Sequence, residues 1–450
     1  MKLLRAFAIL GLVLPAFAQY ASPAILSRGE APAGISAEVP NGFNFSVELT
    51  AEYTNSVFGV PAQNAQGQLA NPAALGGGVT LGISESHNWE DTHLDLNYSG
   101  TFRDFSQTTS YSGLSQGLSF NVSHLFSPHL ALTVKGRAGM FLRSLPSSDS
   151  PDSPVSEGPS PSDIPTTDFF NTRTIYSTTQ ANLTLQESAQ LSFDLGGGYI
   201  FNELQSPALY GVQGQSATGD VQYRFSPHVT IGANYTFYHF GYTHGLGGAY
   251  IHAAAFTTAY RMSPWTELAF FVGPSRMESS FEQAVPIDPS FLAILCPPAD
   301  RVACPFRDGV VISHSIWWGP RFGARLTRSF QHGTIYVNAA ESVTPGNGLF
   351  LTSRTTTASV GYGYSVLRDW SLTVSATYMS ALSLGNVTGH YAGLTGSCRV
   401  SRQIVGSLSF VSLFNTMRYQ SESIAAYNRL IYTASVGFAL SSRNTPVQFF

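Results

Sequence analysis

Charged side chains are scarce. Asp, Glu, Lys and Arg together make up 11% of the 450 residues, against roughly a quarter in ordinary globular domains. Something other than surface charge must therefore carry this chain in its medium. The net charge of -4 is too weak to point to nucleic acid as a partner. Past residue 18 no run approaches the ~18 to 20 uncharged apolar residues of a membrane-spanning helix, which excludes a helical membrane protein. The chain also lacks GxxxxGK[ST], HExxH, GxSxG and CxxC patterns, so an ordinary enzyme is not expected, and neither is a cofactor.

What is present begins with an export signal. Lys2 and Arg5 precede an apolar stretch that ends in Ala16-Phe17-Ala18, the small-x-small pattern of signal-peptidase cleavage. Residues 1-18 are thus expected to be a signal peptide and residues 19-42 a periplasmic N-terminal segment, with the structured body over 43-450. Export permits disulfides, and Cys296 and Cys304 are spaced to close a small ring. That leaves Cys398, whose parity places it beside Leu394 on an apolar face, where packing is its plainest role.

Alternation with period two runs from about residue 43 to residue 441. In Trp370 to Met379, Leu372, Val374, Ala376 and Tyr378 interleave with Ser371, Thr373, Ser375 and Thr377, so one face is apolar and the other hydroxylic. In 130-142, Leu132, Val134, Ala138 and Met140 lie opposite Thr133, Lys135 and Arg137. Placing Lys135 or Arg137 at a bilayer midplane costs about 2 to 4 kcal/mol each, so their face must be a lumen. Equivalent segments fall near 43-53, 77-85, 92-105, 114-126, 130-142, 172-186, 191-202, 212-225, 229-242, 249-262, 266-277, 310-328, 334-343, 350-366, 370-381, 388-400, 404-418 and 426-441. The fold class expected is all-β: a closed antiparallel transmembrane up-and-down β-barrel of about eighteen strands, or sixteen or twenty if one segment is merged or split.

Short and long connections alternate. The short ones contain a repeat, HLFSPHLAL (124-132), YRFSPHVTI (223-231) and YRMSPWTEL (260-268), in which Pro ends a strand because it has no N–H for the ladder. Phe126, Phe225 and Trp265 then suit an interfacial aromatic girdle. Long external loops are expected near 144-171, which is rich in Pro and acids without Lys or Arg, and near 278-309. Both termini fall on the periplasmic side.

The signal peptide, the alternating hairpins and the terminal Phe450 together resemble bacterial outer-membrane β-barrel proteins. The aromatic-x-Ser-Pro turns are similar to the porin-like barrels of acidobacteria and related organisms, some of them associated with exopolysaccharide loci. The resemblance implies a bacterial outer-membrane location and a C-terminal segment read by the barrel-assembly machinery. The last clean alternation, Tyr432 to Leu440, stops ten residues before the end, and Pro446 interrupts the segment RNTPVQFF.

Function is then sought in the lumen. Strand parity sends Glu48, Glu52, Asp95, Arg103, Lys135, Arg137, Asp194, Arg224, Arg261, Glu267, Arg321, Arg325 and Arg399 inward as pore-lining candidates, where such charges set ion selectivity or else pair across strands. A barrel of sixteen to eighteen strands leaves an aqueous channel. The expected function is a porin passing small hydrophilic solutes with a mild preference for anions. Alternatives are a partner in polysaccharide export or substrate-specific uptake, and a structural or adhesive barrel whose loops bind an external partner. Tyr238, Phe271 and Trp317 on the inner face could stack sugars, although girdle packing explains aromatics equally well. His87, Glu90, Asp91 and His93 could ligate a metal, but the SHNWEDT stretch reads more simply as a polar turn, and no metal site is assigned. Outer-membrane lipid is the expected partner, and the sequence carries no signal for an oligomeric state.

Overall fold

The computed structural model describes residues 42–56, 62–63, 69–70, 73–106, 112–141, 173–205, 210–243, 247–286, 308–344, 351–364, 370–384, 389–421 and 429–442. The elements are β1 (Gly42–Thr54), β2 (Ala62–Gln63), β3 (Leu69–Ala70), β4 (Ala74–Asn88), β5 (Thr92–Phe105), β6 (Gly113–Ser127) and β7 (Leu130–Phe141). There follow β8 (Thr174–Gln186), β9 (Leu191–Leu204), β10 (Val212–Ser226), β11 (Val229–Tyr242), β12 (Gly247–Ser263), β13 (Thr266–Pro286) and β14 (Asp308–Phe330). The last are β15 (Gly333–Thr344), β16 (Ser353–Tyr364), β17 (Trp370–Ser383), β18 (His390–Val405), β19 (Leu408–Ser421) and β20 (Arg429–Ser441).

Eighteen of these form one antiparallel sheet in chain order; β2 and β3 make a separate small ribbon that sequence reading did not foresee. The sheet closes on itself because β1 pairs with β4 on one side and with β20 on the other, Ser46 opposite Ser441 through Thr54 opposite Thr433. Asn55 extends the closure: its side chain donates to the Leu430 carbonyl at 3.1 Å and accepts from the Tyr432 N–H at 2.8 Å. Each of the eighteen expected segments corresponds to one barrel strand. The alternation survives in three dimensions, since Leu49, Leu75, Phe102, Leu195, Val272 and Phe438 are all at least half exposed on the outer wall. In a closed barrel every strand's backbone groups are paired by neighbours, so this apolar exterior can face hydrocarbon.

The Ser-Pro repeat folds the same way three times. The ladder slips by one residue between Leu125 and Ser127, Arg224 and Ser226, and Arg261 and Ser263. Phe126, Phe225 and Met262 are thereby left as bulge residues, 57%, 72% and 51% exposed. Pro then occupies the first turn position. The Ser Oγ accepts the N–H two residues on: His129 at 3.3 Å, His228 at 3.2 Å and Trp265 at 3.2 Å. A short hydroxyl can do this because its reach matches a turn. The β18–β19 turn has the same one-residue bulge, at Ile404, but a different turn, with Gly406 at a left-handed φ of 55° where the others have proline. The turns at this end are two to five residues long.

Three boundaries differ from expectation. β13 continues to Pro286 and β14 begins at Asp308, so residues 278–286 and 308–309 of the segment read as a loop at 278-309 are strand, the alternation of 278–286 being masked by Glu278, Ser280 and Glu282 on the outer face; residues 287–307 lie outside the described residues. Likewise β18 runs to Val405, because its turn is marked by Gly406 rather than by a residue near 401. The segments 1-18 and 19-41, the loop 144-171, the Cys296 and Cys304 pair, and Pro446 to Phe450 lie outside the described residues.

Inside the wall, aromatic rings rest on glycines. A Cβ at Gly323 would sit 2.5 Å from Phe271 Cε1 and 2.7 Å from Cζ. Replacing Gly323 by Val should overpack this contact and cost about 1–3 kcal/mol, measurable as an earlier midpoint in denaturant unfolding followed by heat-modifiable electrophoretic migration.

Candidate functional site: the inner wall and its mouth

Register fixes which side chains share the inner face, because directly opposed residues point the same way. Thr50 and Glu52 face the lumen together with Gly78, whose partner across β4–β5 is Arg103. The same bookkeeping places all thirteen charges named from the sequence on the inner face, but it does not bring them into one ring. They fall into groups along the wall.

The first group spans β1, β5 and β18. Arg103 Nε donates to Glu52 Oε1 at 3.1 Å, and Arg399 Nη2 to Glu48 Oε2 at 3.4 Å. Gly78 makes the first pair possible, since a Cβ there would stand 3.1 Å from Glu52 Oε1 and 3.5 Å from Arg103 Cγ. Glu52 is only 6% exposed, so its charge is tied to Arg103 and is not presented to solutes.

Asp95 holds the second group, near the short turns. It accepts from Asn121 at 3.3 Å and lies 2.6 Å from His93 Nε2. His93 also contacts Asn88, while His87 packs its ring on Trp89 at 4.3 Å. The four residues weighed as metal ligands are thus divided among a hydrogen-bonded pair, a ring stack and a turn, and no cluster of three or more metal-ligating side chains exists among the described residues.

On β7, Lys135 stands opposite Asn121 and Gln180, and Arg137 opposite Ser119 and Thr178. Their cross-strand partners are neutral, and Arg137 is exposed. On β9 and β10, Asp194 is directly opposed to Asp220 and accepts from Thr184 at 2.6 Å. Sequence reading missed Asp220, although its parity with Arg224 on the same strand was the available signal. Arg261 is directly opposed to Glu267, and Arg325 Nε donates to Thr327 at 3.3 Å.

Arg321 departs from the pore-lining expectation. It is 4% exposed, its Nη1 donates to Asn234 at 3.1 Å, and its guanidinium covers the Phe271 ring at 5.2 Å. It reaches over the small residues Ala255 and Gly273 of the intervening strands and is held by the wall. Phe271, at 2% exposure between Arg321 and Gly323, has no face left for a sugar. Cys398 lies outward and half-buried opposite Val374, as its parity requires.

The least expected feature is at the long-loop end. Ile200, Val212, Phe240, Tyr242, Ile251, Met277 and Phe281, all inward on β9 to β13, form one buried apolar cluster with Val343 and Leu351; Tyr238 and Trp317 pack against it. Leu351 and Thr352 belong to the connection from β15 to β16. The Tyr242 hydroxyl is 2.9 Å from Thr352 Oγ1, and the Leu384 N–H donates to the Thr352 carbonyl at 2.9 Å. The end of the β15–β16 hairpin is therefore folded into the mouth of the barrel, against the inner faces of β11 and β13. No alternation pattern could announce this, because Val343 continues the outward series of Val337 and Ala339.

No family model and no curated relative matches the sequence. Among solved structures, the chain is similar to OccAB4 of Acinetobacter baumannii, at 10% identity over 90% of this chain and 99% of that one, TM-score 0.37. The outer membrane protein opdK of Pseudomonas aeruginosa is 11% identical over 89% and 99%, TM-score 0.40. The ferric-catecholate import receptor Fiu of E. coli is 10% identical over 88% and 81%, TM-score 0.41. Likeness at this level carries no weight for function, which rests on the residues.

The Glu52 and Arg103 pair gives a direct check on the wall. Arg103→Met leaves a carboxylate in a confined site and should destabilise the barrel by about 1–3 kcal/mol, whereas Glu52→Gln with Arg103→Met should recover part of that loss. The measurement is a double-mutant cycle of unfolding free energies in detergent micelles.

Proposed function

We propose that the protein is a bacterial outer-membrane channel for passive diffusion of small hydrophilic solutes, narrowed at its mouth by the folded-in hairpin. One observation carries the reading: a closed eighteen-strand barrel whose outward face is apolar and whose inward face carries Ser, Thr, Asn, Gly and charges. Barrels of this girth leave more room than side chains fill, and the polar face gives that room to water. Enzymatic chemistry has no support in the inner wall, where the charged groups are paired or spread along the strands.

A mild anion preference follows from β7, where Lys135 and Arg137 face neutral neighbours while Glu48 and Glu52 are paired with arginines. The apolar packing at the mouth favours a passage selective in size over a wide one. Insertion would run through the barrel-assembly machinery acting on the C-terminal segment. Polysaccharide export finds no specific support on the inner face.

Purified protein reconstituted in planar bilayers should give discrete conductance steps; correctly folded protein that inserts without conducting would overturn the reading. Lys135→Glu with Arg137→Glu should shift permeability from anions toward cations. The readout is a change in the zero-current potential across a salt gradient, with unitary conductance retained.

A further inference from the structure

β13 and β14 are the two longest strands, 21 and 23 residues, and pair along their whole length. Midway, two Gly-Pro dipeptides meet: Gly273-Pro274 on β13 and Gly319-Pro320 on β14, with Pro274 directly opposite Pro320. Neither proline has an N–H, so the pair must occupy a position that exchanges no hydrogen bonds within the hairpin. The missing donors therefore point to the outer neighbours, Pro274 toward β12 and Pro320 toward β15.

Both neighbouring ladders fail there. Ala254 and Ala255 of β12 are left out between the pairs Ala253 with Ser275 and Phe256 with Val272. The β14–β15 ladder stops at Phe322 opposite Glu341, two residues from Pro320. Above that point β14 pairs only with β13, and Ser342 to Thr344 of β15 pair only with β16. Val343 is outward by register yet 7% exposed, because it packs with Met277 and Phe281 from the inner face of β13. Two layers thus overlap: the upper β13–β14 hairpin outside, the β15–β16 end inside. Among the described residues no ladder joins them, and the contact between them is apolar.

On the outer side of the overlap, Ile316 at 63% and Trp318 at 64% exposure line β14, with the Arg276 and Glu278 ion pair beside them on β13 and the Arg276 guanidinium over the Trp318 ring at 5.6 Å. Trp317, Val343 and Leu351 stand just within. Arg354, 4.0 Å from Glu341, lies where the ladder ends.

We propose that this seam is a side passage between the outer leaflet and the mouth of the lumen for alkyl-chain amphiphiles. The hairpin would bend at the Gly-Pro line, the alkyl chain would lie between the two apolar layers, and the polar head would remain by Arg354. The proposal rests on the membrane-spanning reading and not on conduction through the lumen.

The test uses the full chain in phospholipid vesicles with Trp89, Trp265, Trp318 and Trp370 replaced by Phe, leaving Trp317 as the single emitter. A brominated fatty acid should quench Trp317 saturably. Pro320→Val, which restores a donor toward β15, and Val343→Asp, which places a charge between the layers, should each abolish the saturable part in protein that still shows heat-modifiable migration. Absence of saturable quenching in the Trp317 protein, or equal quenching in both variants, would overturn the seam. Conductance measured in parallel separates the two ideas: loss of conductance with quenching retained counts against the diffusion channel alone.

Discussion

Everything in this molecule depends on one requirement: a backbone N–H or C=O in hydrocarbon must find its partner within the protein. The pairing of β1 with β20 satisfies it at the two ends of the sheet, and among the described residues only the upper parts of β14 and β15 share no ladder. Asn55 carries the closure beyond the final ladder pair with its side-chain amide. Once backbone polarity is settled this way, the side chains can divide into an apolar outer set and a polar inner set. The low charge content follows, because the outer set has no water to meet.

The inner set is governed by space as much as by charge. Gly78 lets Arg103 reach Glu52, and Gly323 lets the Phe271 ring lie against the wall beneath Arg321. Small residues on one strand thus make room for large ones on the next, and ion pairs run along the wall without crossing the lumen. The carboxylates that pair with arginine hold the wall together. The cations on β7 face only neutral cross-strand groups and so add positive potential to the field a solute would meet.

The fold was legible because period-two alternation and turn chemistry are local properties. The eighteen segments could be found without knowing their neighbours, and Ser-Pro marked strand ends because proline cannot join a ladder. The inner-face charges were legible for the same reason, since parity needs only the strand. What stayed hidden depends on which strands are adjacent. Asp220 matters through Asp194 on the next strand, and Val343 is buried because β14 leaves β15 at Pro320. Within a single strand nothing connects Gly273-Pro274 with Gly319-Pro320, whose meaning lies in facing each other.

The bulge beside each Ser-Pro turn sets the phase of the strand that follows. At the β6–β7 turn, Ser127 opposes Leu130 but Leu125 opposes Ala131, so Phe126 is dropped from the count. Were the ladder to continue straight from Ser127 and Leu130, Lys135 would fall opposite Val122 and Arg137 opposite Phe120, both of which point outward. The two cations would then stand in hydrocarbon. A one-residue irregularity at the rim thus decides what lines the interior ten residues away: admitting Phe126 to the ladder would invert an entire strand, whereas a chain without it would keep Leu125 opposite Ala131 and every later side chain on its proper face.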